Sequence, residues 1–206
     1  MTFDLHIHTA ISDGSLCPDT SADLLRQHAD YVTVTDHSNA SYHNKENTGC
    51  SFTGVELHSC IKHNGRLILI ECLFYGFSVK DIPFFRKNLL LKELPSLAEH
   101  LSFMKERTGA KLFLAHPYYY GFYGNDLITF LDACAPYVDG FECLHFSVPL
   151  LEDVLVLLDY CRNTGKLASG GSDSHENLEK TPYLNLVPEY PELFAWIPEM
   201  AKKVTQ

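Results

Sequence analysis

Nearly every short β-branched or aliphatic run in this chain closes on histidine or a carboxylate, where a buried strand would otherwise stay apolar. The first, Thr2–His8, ends in His6 and His8, and the second, Tyr31–Asp36, ends in Asp36 with His37 behind it. Glu56 and His58 close the third, Phe52–His58, and His116 closes the fifth, Lys111–His116. Glu142 and His145 belong to the end of the sixth, Val138–Cys143, while Asp173 and His175 follow the last, Leu167–Gly170. Only the fourth, Leu67–Phe77, ends apolar. Ionisable residues at the C-terminal ends of successive strands are the pattern of a β/α barrel's active face. An open doubly wound sheet would collect them at one switch point instead. The sequence therefore predicts one α/β domain over residues 1–206, a TIM-like β/α barrel with its site at the strand ends.

Amphipathic segments alternate with these runs. "PDTSADLLRQHA" starts with Pro18 and offers Asp19 as N-cap. "LPSLAEHLSFMKERTG" sets Leu97, Leu101 and Met104 on one face, and "PLLEDVLVLLDYCRNTG" does so with Leu150, Val154, Leu157 and Cys161. A further helix is expected between Asp81 and Leu94, and a last one around Trp196.

The spacing of the polar residues speaks for metal. Residues i and i+2 of a strand face the same way, roughly 6.5–7 Å apart. His6 with His8, Glu56 with His58, and Asp173 with His175 all have that spacing. Asp36 and His37 point apart in a strand, so His37 is the ligand, and Asp36 serves the chemistry by holding a ligand or an amide. Asp4, two residues before His6, is placed to do the same. Nitrogen and carboxylate donors without thiolate suit Zn²⁺, Mn²⁺ or Fe²⁺ better than Ca²⁺ or Mg²⁺. They outnumber what one tetrahedral ion can use, which implies two or three ions bridged by a carboxylate such as Glu56.

Composition narrows the partners. A formal charge of −10 excludes broad binding to nucleic-acid backbone, which needs a basic face. The 7 cysteines include no C-x-x-C pair, so neither a disulfide frame nor a zinc knuckle is indicated. No run approaches the ~20 apolar residues of a membrane span. The start, MTFDLH, has neither a basic opening nor an apolar signal core, so the expected location is cytoplasmic.

"DLHIHTAISDG", "VTDHS", "GVELHS", "LAHPY", "GFEC" and "GGSDSH" resemble, in order and spacing, the motifs of the PHP (polymerase and histidinol phosphatase) family, over residues 4 to 176. The resemblance implies a distorted barrel of about seven β/α units and a di- or trinuclear centre that hydrolyses phosphate esters through a metal-activated hydroxide. By position, His6, His8, Glu56 and Asp173 resemble the ligands of one ion, and Asp13, His37 and His175 those of another. His116 and Glu56 would serve a third, for which the family supplies a histidine where this chain has Glu71. Either Glu71 replaces that ligand or the centre holds two ions.

Other residues have plainer roles. His28, His63 and His100 read as surface or helix-face groups, His43 as a solvent-exposed loop residue. His58 and Glu142 are expected near the site without being assigned as ligands, and His145 as a candidate proton donor. Lys45, Lys62 and Arg66 are the candidate phosphate contacts, and Tyr118 opens an aromatic wall after His116. The expected substrate is a small phosphorylated metabolite or nucleotide. An amidohydrolase acting on a lactone or amide, a nuclease module, or a metal-bound scaffold with lost chemistry are the competing readings.

Overall fold

The computed structural model describes residues 1–80, 95–107 and 109–204. The helix expected between Asp81 and Leu94 lies outside the described residues. Seven strands are present among them: β1 (Phe3–Asp4), β2 (Tyr31–Val32), β3 (Gly54–His63), β4 (Arg66–Tyr75), β5 (Lys111–Leu114), β6 (Gly140–Leu144) and β7 (Leu167–Gly170). They do not close into a barrel. β1 and β2 form a two-stranded parallel sheet, and the other five form a separate sheet in the order β3-β4-β5-β6-β7. The β3–β4 and β4–β5 pairs are antiparallel, and only β5–β6 and β6–β7 are parallel.

This corrects the (β/α)7 expectation, and the cause lies in one turn. Asn64 and Gly65 have φ of 47° and 76°, the left-handed pair of a two-residue hairpin. A parallel barrel needs a crossover of a dozen residues or more at that point. The hairpin leaves no room for it: β3 and β4 run for ten residues each, β3 continuing five residues past its expected end at His58 while β4 keeps close to the expected Leu67–Phe77. Glu56 and His58 therefore do not end a strand. They stand in its first half, and His58 pairs directly with Glu71 across the ladder.

Isolated bridges join the two sheets, Ile7 to Ser174 and His37 to Glu56. The chain after β1 is threaded between its neighbours: Leu5 N–H donates to Gly170 O, Asp173 N–H to His6 O, and His8 N–H to Ser174 O. Gly171 permits this approach, since an added Cβ there would overlap the Cβ of His6 and lie 2.5 Å from its backbone nitrogen. Both seams are flanked by the ionisable residues singled out in the sequence.

Among the described residues, six helices cover the sheets: α1 (Ser21–His28), α2 (Leu97–Arg107), α3 (Gly124–Cys134), α4 (Leu151–Thr164), α5 (Pro191–Phe194) and α6 (Trp196–Val204). α1 begins at Ser21 and is not capped by Asp19, which pairs with Lys45. α4 ends at Gly165, whose left-handed φ of 69° lets its N–H reach Cys161 O. Leu150 is its exposed N-cap residue instead of a core contact. α3 had no counterpart among the expected elements, although Leu127, Phe130, Leu131 and Cys134 are spaced for a helix and all face the core. Trp196 packs against Phe113 and Tyr75, with ring centroids 4.8 and 5.5 Å away, and donates its N–H to Ala168 O. No helix among the described residues is long and apolar enough to cross a membrane.

Several histidines expected at the surface are core residues. His63 packs edge-on against Phe122 and Phe130, and His100 against Phe74. His43 is buried where Nε2 accepts the Gly54 N–H at 2.9 Å. Burial pushes its pKa down to about 4. The unfolded imidazole titrates near 6.5, so the unfolded chain binds the extra proton between those values. His43 thus contributes stability that is complete above pH ~6.5 and falls by about 3 kcal/mol as the pH drops toward 4. Urea unfolding at pH 7 and 4.5 will show this loss in the natural chain and a smaller one in His43→Gln.

Candidate metal centre

The seams place eight side chains around one cavity. His6 and His8 flank the bridging residue Ile7, Asp173 and His175 flank its partner Ser174, and His37 bridges to Glu56. His116 and His145 follow the parallel strands β5 and β6. His116 and Asp173 have left-handed backbones, with φ of 27° and 51°, as has Ser38 beside His37 at 49°. Such conformations cost of order 1–3 kcal/mol each, and persist where the surroundings impose them. Here they turn the side chains inward.

Four ligand-type atoms meet at the centre. His6 Nε2 lies 3.1 Å from His8 Nε2, 3.1 Å from Glu56 Oε2 and 3.3 Å from Asp173 Oδ1. His8 Nε2 lies 3.0 Å from Asp173 Oδ1 and 3.3 Å from Glu56 Oε2. Four atoms bound tetrahedrally at ~2.0–2.1 Å from an ion would be about 3.3–3.4 Å apart. The observed edges approach that figure.

A more open group adjoins it. Asp13 Oδ2 stands 3.4 Å from His175 Nε2 and 3.6 Å from His37 Nε2, while Asp13 Oδ1 is 3.5 Å from His8 Nδ1. A third group lies toward β4, where His116 Nε2 is 3.2 Å from Glu56 Oε1 and 3.3 Å from Glu71 Oε2. Glu71 Oε1 also lies 3.3 Å from the half-exposed His58. Glu71 therefore reaches the cluster from the position where the resemblance leads one to expect histidine.

The second nitrogen of each ring decides what the first can do. Glu142 Oε1 faces His6 Nδ1 at 3.0 Å, so Nδ1 keeps its proton, and a neutral His6 ring points its Nε2 lone pair into the cavity. His175 does likewise, with Nδ1 2.8 Å from the Asp173 carbonyl. His145 is the reverse. Its Nδ1 accepts the Ser147 N–H at 2.9 Å, which puts the proton of the neutral ring on Nε2, 3.4 Å from Asp173 Oδ2. That nitrogen is buried and makes no hydrogen bond. Although His145, His6 and Asp173 are close enough to share an ion, His145 offers an N–H there and not a lone pair.

Electrostatics tie the groups together. Burial opposes charge on His6 and His8, and the surrounding carboxylates outweigh it. Glu56, Glu142 and Asp173 raise His6 well above its usual range, and bonds to Asp173 and Glu56 raise His8 to about 9. Glu56 and Asp173 are held low against their own burial, chiefly by His6. Burial and the Glu56 charge push Glu71 up, and burial pushes His37 down. A buried set of carboxylates balanced by imidazolium protons is one that divalent cations can balance in their place, releasing protons as they bind. His37 Nδ1, buried without a hydrogen bond 3.2 Å from Glu56 Oε2, adds to a donor set that fits such ions.

Other expected site residues fall outside this cavity. Asp36 braces the loop after His8 by accepting from Thr9 N, Thr9 Oγ1 and Ser12 Oγ at 2.7–2.8 Å. It positions Asp13's loop and has no free oxygen for chemistry. Asp4 holds Ser172 through its N–H and hydroxyl, and His28, expected at the surface, binds Asp4 at 2.8 Å. Glu142 orients His6 and accepts the His116 N–H. Lys45 pairs with Asp19. Lys62 and Arg66 stand at the hairpin tip, Lys62 six residues beyond Glu56, a distance of about 20 Å along a strand. Neither can reach a phosphate bound at the cluster. Tyr118 is buried with its hydroxyl on Asp153, whereas Tyr119 and Tyr120 are the rings against His116. Ser147, which fixes the His145 ring, had escaped notice; the His-x-Ser spacing was its only mark in the sequence.

No protein-family model and no curated protein matches the chain. Among solved structures, a Bifidobacterium adolescentis protein considered a metal-dependent phosphoesterase aligns at TM-score 0.65 and 18% identity, covering 91% of this chain and 94% of its own. An amidohydrolase from Chromobacterium violaceum, solved with sulfate and no metal, aligns at 0.62 and 18%, covering 94% and 97%. A two-domain Bacteroides vulgatus protein with a predicted PHP-like metal-dependent phosphoesterase part aligns at 0.51 and 15%, covering 85% of this chain and 52% of its own. At these identities the likeness is one of fold.

Proposed function

We propose that this protein is a metal-dependent hydrolase of small phosphate esters, holding two or three divalent ions. The reading rests on Nε2 of His6 and of His8, 3.1 Å apart, with a Glu56 oxygen and an Asp173 oxygen each 3.0–3.3 Å from both of them. His6, His8 and Glu56, with Asp173 beside both histidines, would hold one ion, and Asp13, His37 and His175 a second beside His8. Glu56, Glu71 and His116 are the set for a third. Bound there, the ions would lower the pKa of water toward neutrality and offset charge on the phosphoryl oxygens.

The chain's own part is positional and protonic. Glu142 fixes the His6 ring, and Asp36 fixes the loop that brings Asp13 to the cavity. His145 keeps its Nε2–H aimed into the same space; a second proton taken up at Nδ1, where Ser147 Oγ lies 2.8 Å away, would let the ring give the Nε2 proton to a departing alkoxide and return to neutral. Two of the three similar structures carry a phosphoesterase description and the third an amidohydrolase one, which keeps the second reading open. Amidohydrolases of the expected kind bridge their metals with a strand-borne lysine. Lys62, the lysine of β3, is at the hairpin tip, so phosphate esters are favoured.

The discriminating experiment supplies purified protein with Mn²⁺ or Zn²⁺ and follows phosphate release from phosphorylated metabolites beside a lactone and amide panel. Phosphate release that stops with chelator and returns with metal is expected. Lactone or amide hydrolysis without phosphate release would reverse the assignment.

A further inference from the structure

Two loops leave the cavity directly behind cluster histidines, and both present uncharged apolar surface. The first follows His116 and carries Tyr119, 73% exposed; the second follows His145 and carries Phe146, 54% exposed. A single exposed apolar side chain is ordinary on a protein surface, but here two exposed aromatic rings stand on the loops that follow two neighbouring cluster histidines. Their place in the fold is fixed. The Tyr119 ring lies 5.2 Å from His116, whose own ring lies 5.2 Å from that of His145, the neighbour of Phe146. Tyr118, on the first loop, bonds Asp153 of α4, which follows the second, so the loops are tied together behind the rings. Neither residues 117–125 nor 146–151 contain a lysine, arginine, aspartate or glutamate. The candidate cations lie elsewhere, Lys45 on Asp19 and Lys62 and Arg66 at the hairpin tip.

We infer that Tyr119 and Phe146 form the subsite for the leaving group, and that this group is planar, aromatic and uncharged. The inference rests on the proposed phosphate-ester chemistry, because it places the phosphate at the cluster and the remainder of the substrate against His116 and His145. The proton donor His145 adjoins this subsite, where the leaving oxygen would be. A sugar bearing a second phosphate would find no cationic side chain on these two loops. An aromatic group finds two rings on which to pack, worth up to about tenfold in binding.

The test uses metal-loaded full-length protein and two non-hydrolysable probes, 2-phenylethylphosphonate and butylphosphonate, with binding followed by calorimetry. The phenylethyl compound is expected to bind about tenfold tighter. Tyr119→Leu and Phe146→Leu should each remove most of that preference and leave butylphosphonate within about twofold of its original affinity. Equal affinity for the two probes, or a preference that survives both substitutions, would overturn the subsite while leaving the phosphate site intact. Failure of either probe to bind would instead overturn the phosphate reading beneath it. Sedimentation of the same variants covers the other occupant: a change in oligomeric state with an unchanged preference assigns the patch to contact between copies and rejects the inference.

Discussion

Glu56→Gln will strip the protein of tightly held metal and lower turnover on the order of a thousandfold or more, the largest effect expected of any single conservative change. The reason is its central place. One buried carboxylate touches four imidazoles: His6 at 3.1 Å, His8 at 3.3 Å, His37 at 3.2 Å and His116 at 3.2 Å. An amide is neutral, and its NH₂ group presents donors where cations must lie. The metal-free protein will suffer too. His6 is chiefly compensated by Glu56, and removing one partner of a buried ion pair costs about 3–5 kcal/mol. Elemental analysis, turnover and thermal unfolding in chelator check the three parts separately. Glu71→Gln should be milder, since Glu71 lies beside His116 and His58 and reaches His37 only at 3.8 Å. Unaltered metal content in Glu56→Gln would remove Glu56 from the ligand set.

His145→Gln will leave metal content unchanged and slow hydrolysis of alkyl phosphates by about 10²–10³-fold, within the usual range for a lost proton donor. Aryl phosphates with acidic phenols will be slowed far less, because their leaving groups depart without a proton. The asymmetry follows from the hydrogen bond that Ser147 N–H gives to Nδ1. Were His145 a ligand instead, metal would be lost and both kinds of ester would slow alike. Comparing the two substrate series in one variant separates these outcomes.

How far the sequence revealed this arrangement depends on the range of the interaction that decides each part. The residues that converge were legible from their i, i+2 spacing, although an isolated bridge between Ile7 and Ser174, and no continuous strand, sets His6 with His8 and Asp173 with His175. Most of the individual strands were legible from local pattern too, yet the sheet they form was not. Pairing depends on turns, and the Asn64-Gly65 signal, itself a strong mark of a hairpin, passed unread between Lys62 and Leu67. That one omission turned a ten-residue antiparallel pair into two parallel barrel strands, and placed Lys62 and Arg66 at a mouth they do not border. His43, His63 and His100 failed differently. A polar loop suggested solvent for His43, and periodicity a surface or helix face for His63 and His100, but Val34, Gly54 and the rings of Phe74, Phe122 and Phe130 enclose them from distant parts of the chain. The protonation pattern of His145 was beyond reach because it depends on a backbone amide two residues on, whose direction only the loop's conformation sets.

Anomalous diffraction from crystals grown with excess Mn²⁺ examines the central claim directly. The account predicts a strong peak within about 2.0–2.3 Å of His6 Nε2, His8 Nε2, a Glu56 oxygen and an Asp173 oxygen, with a second near Asp13, His37 and His175. A crystal saturated with manganese that shows no peak among those side chains, or shows His6 and Asp173 turned apart, would contradict it.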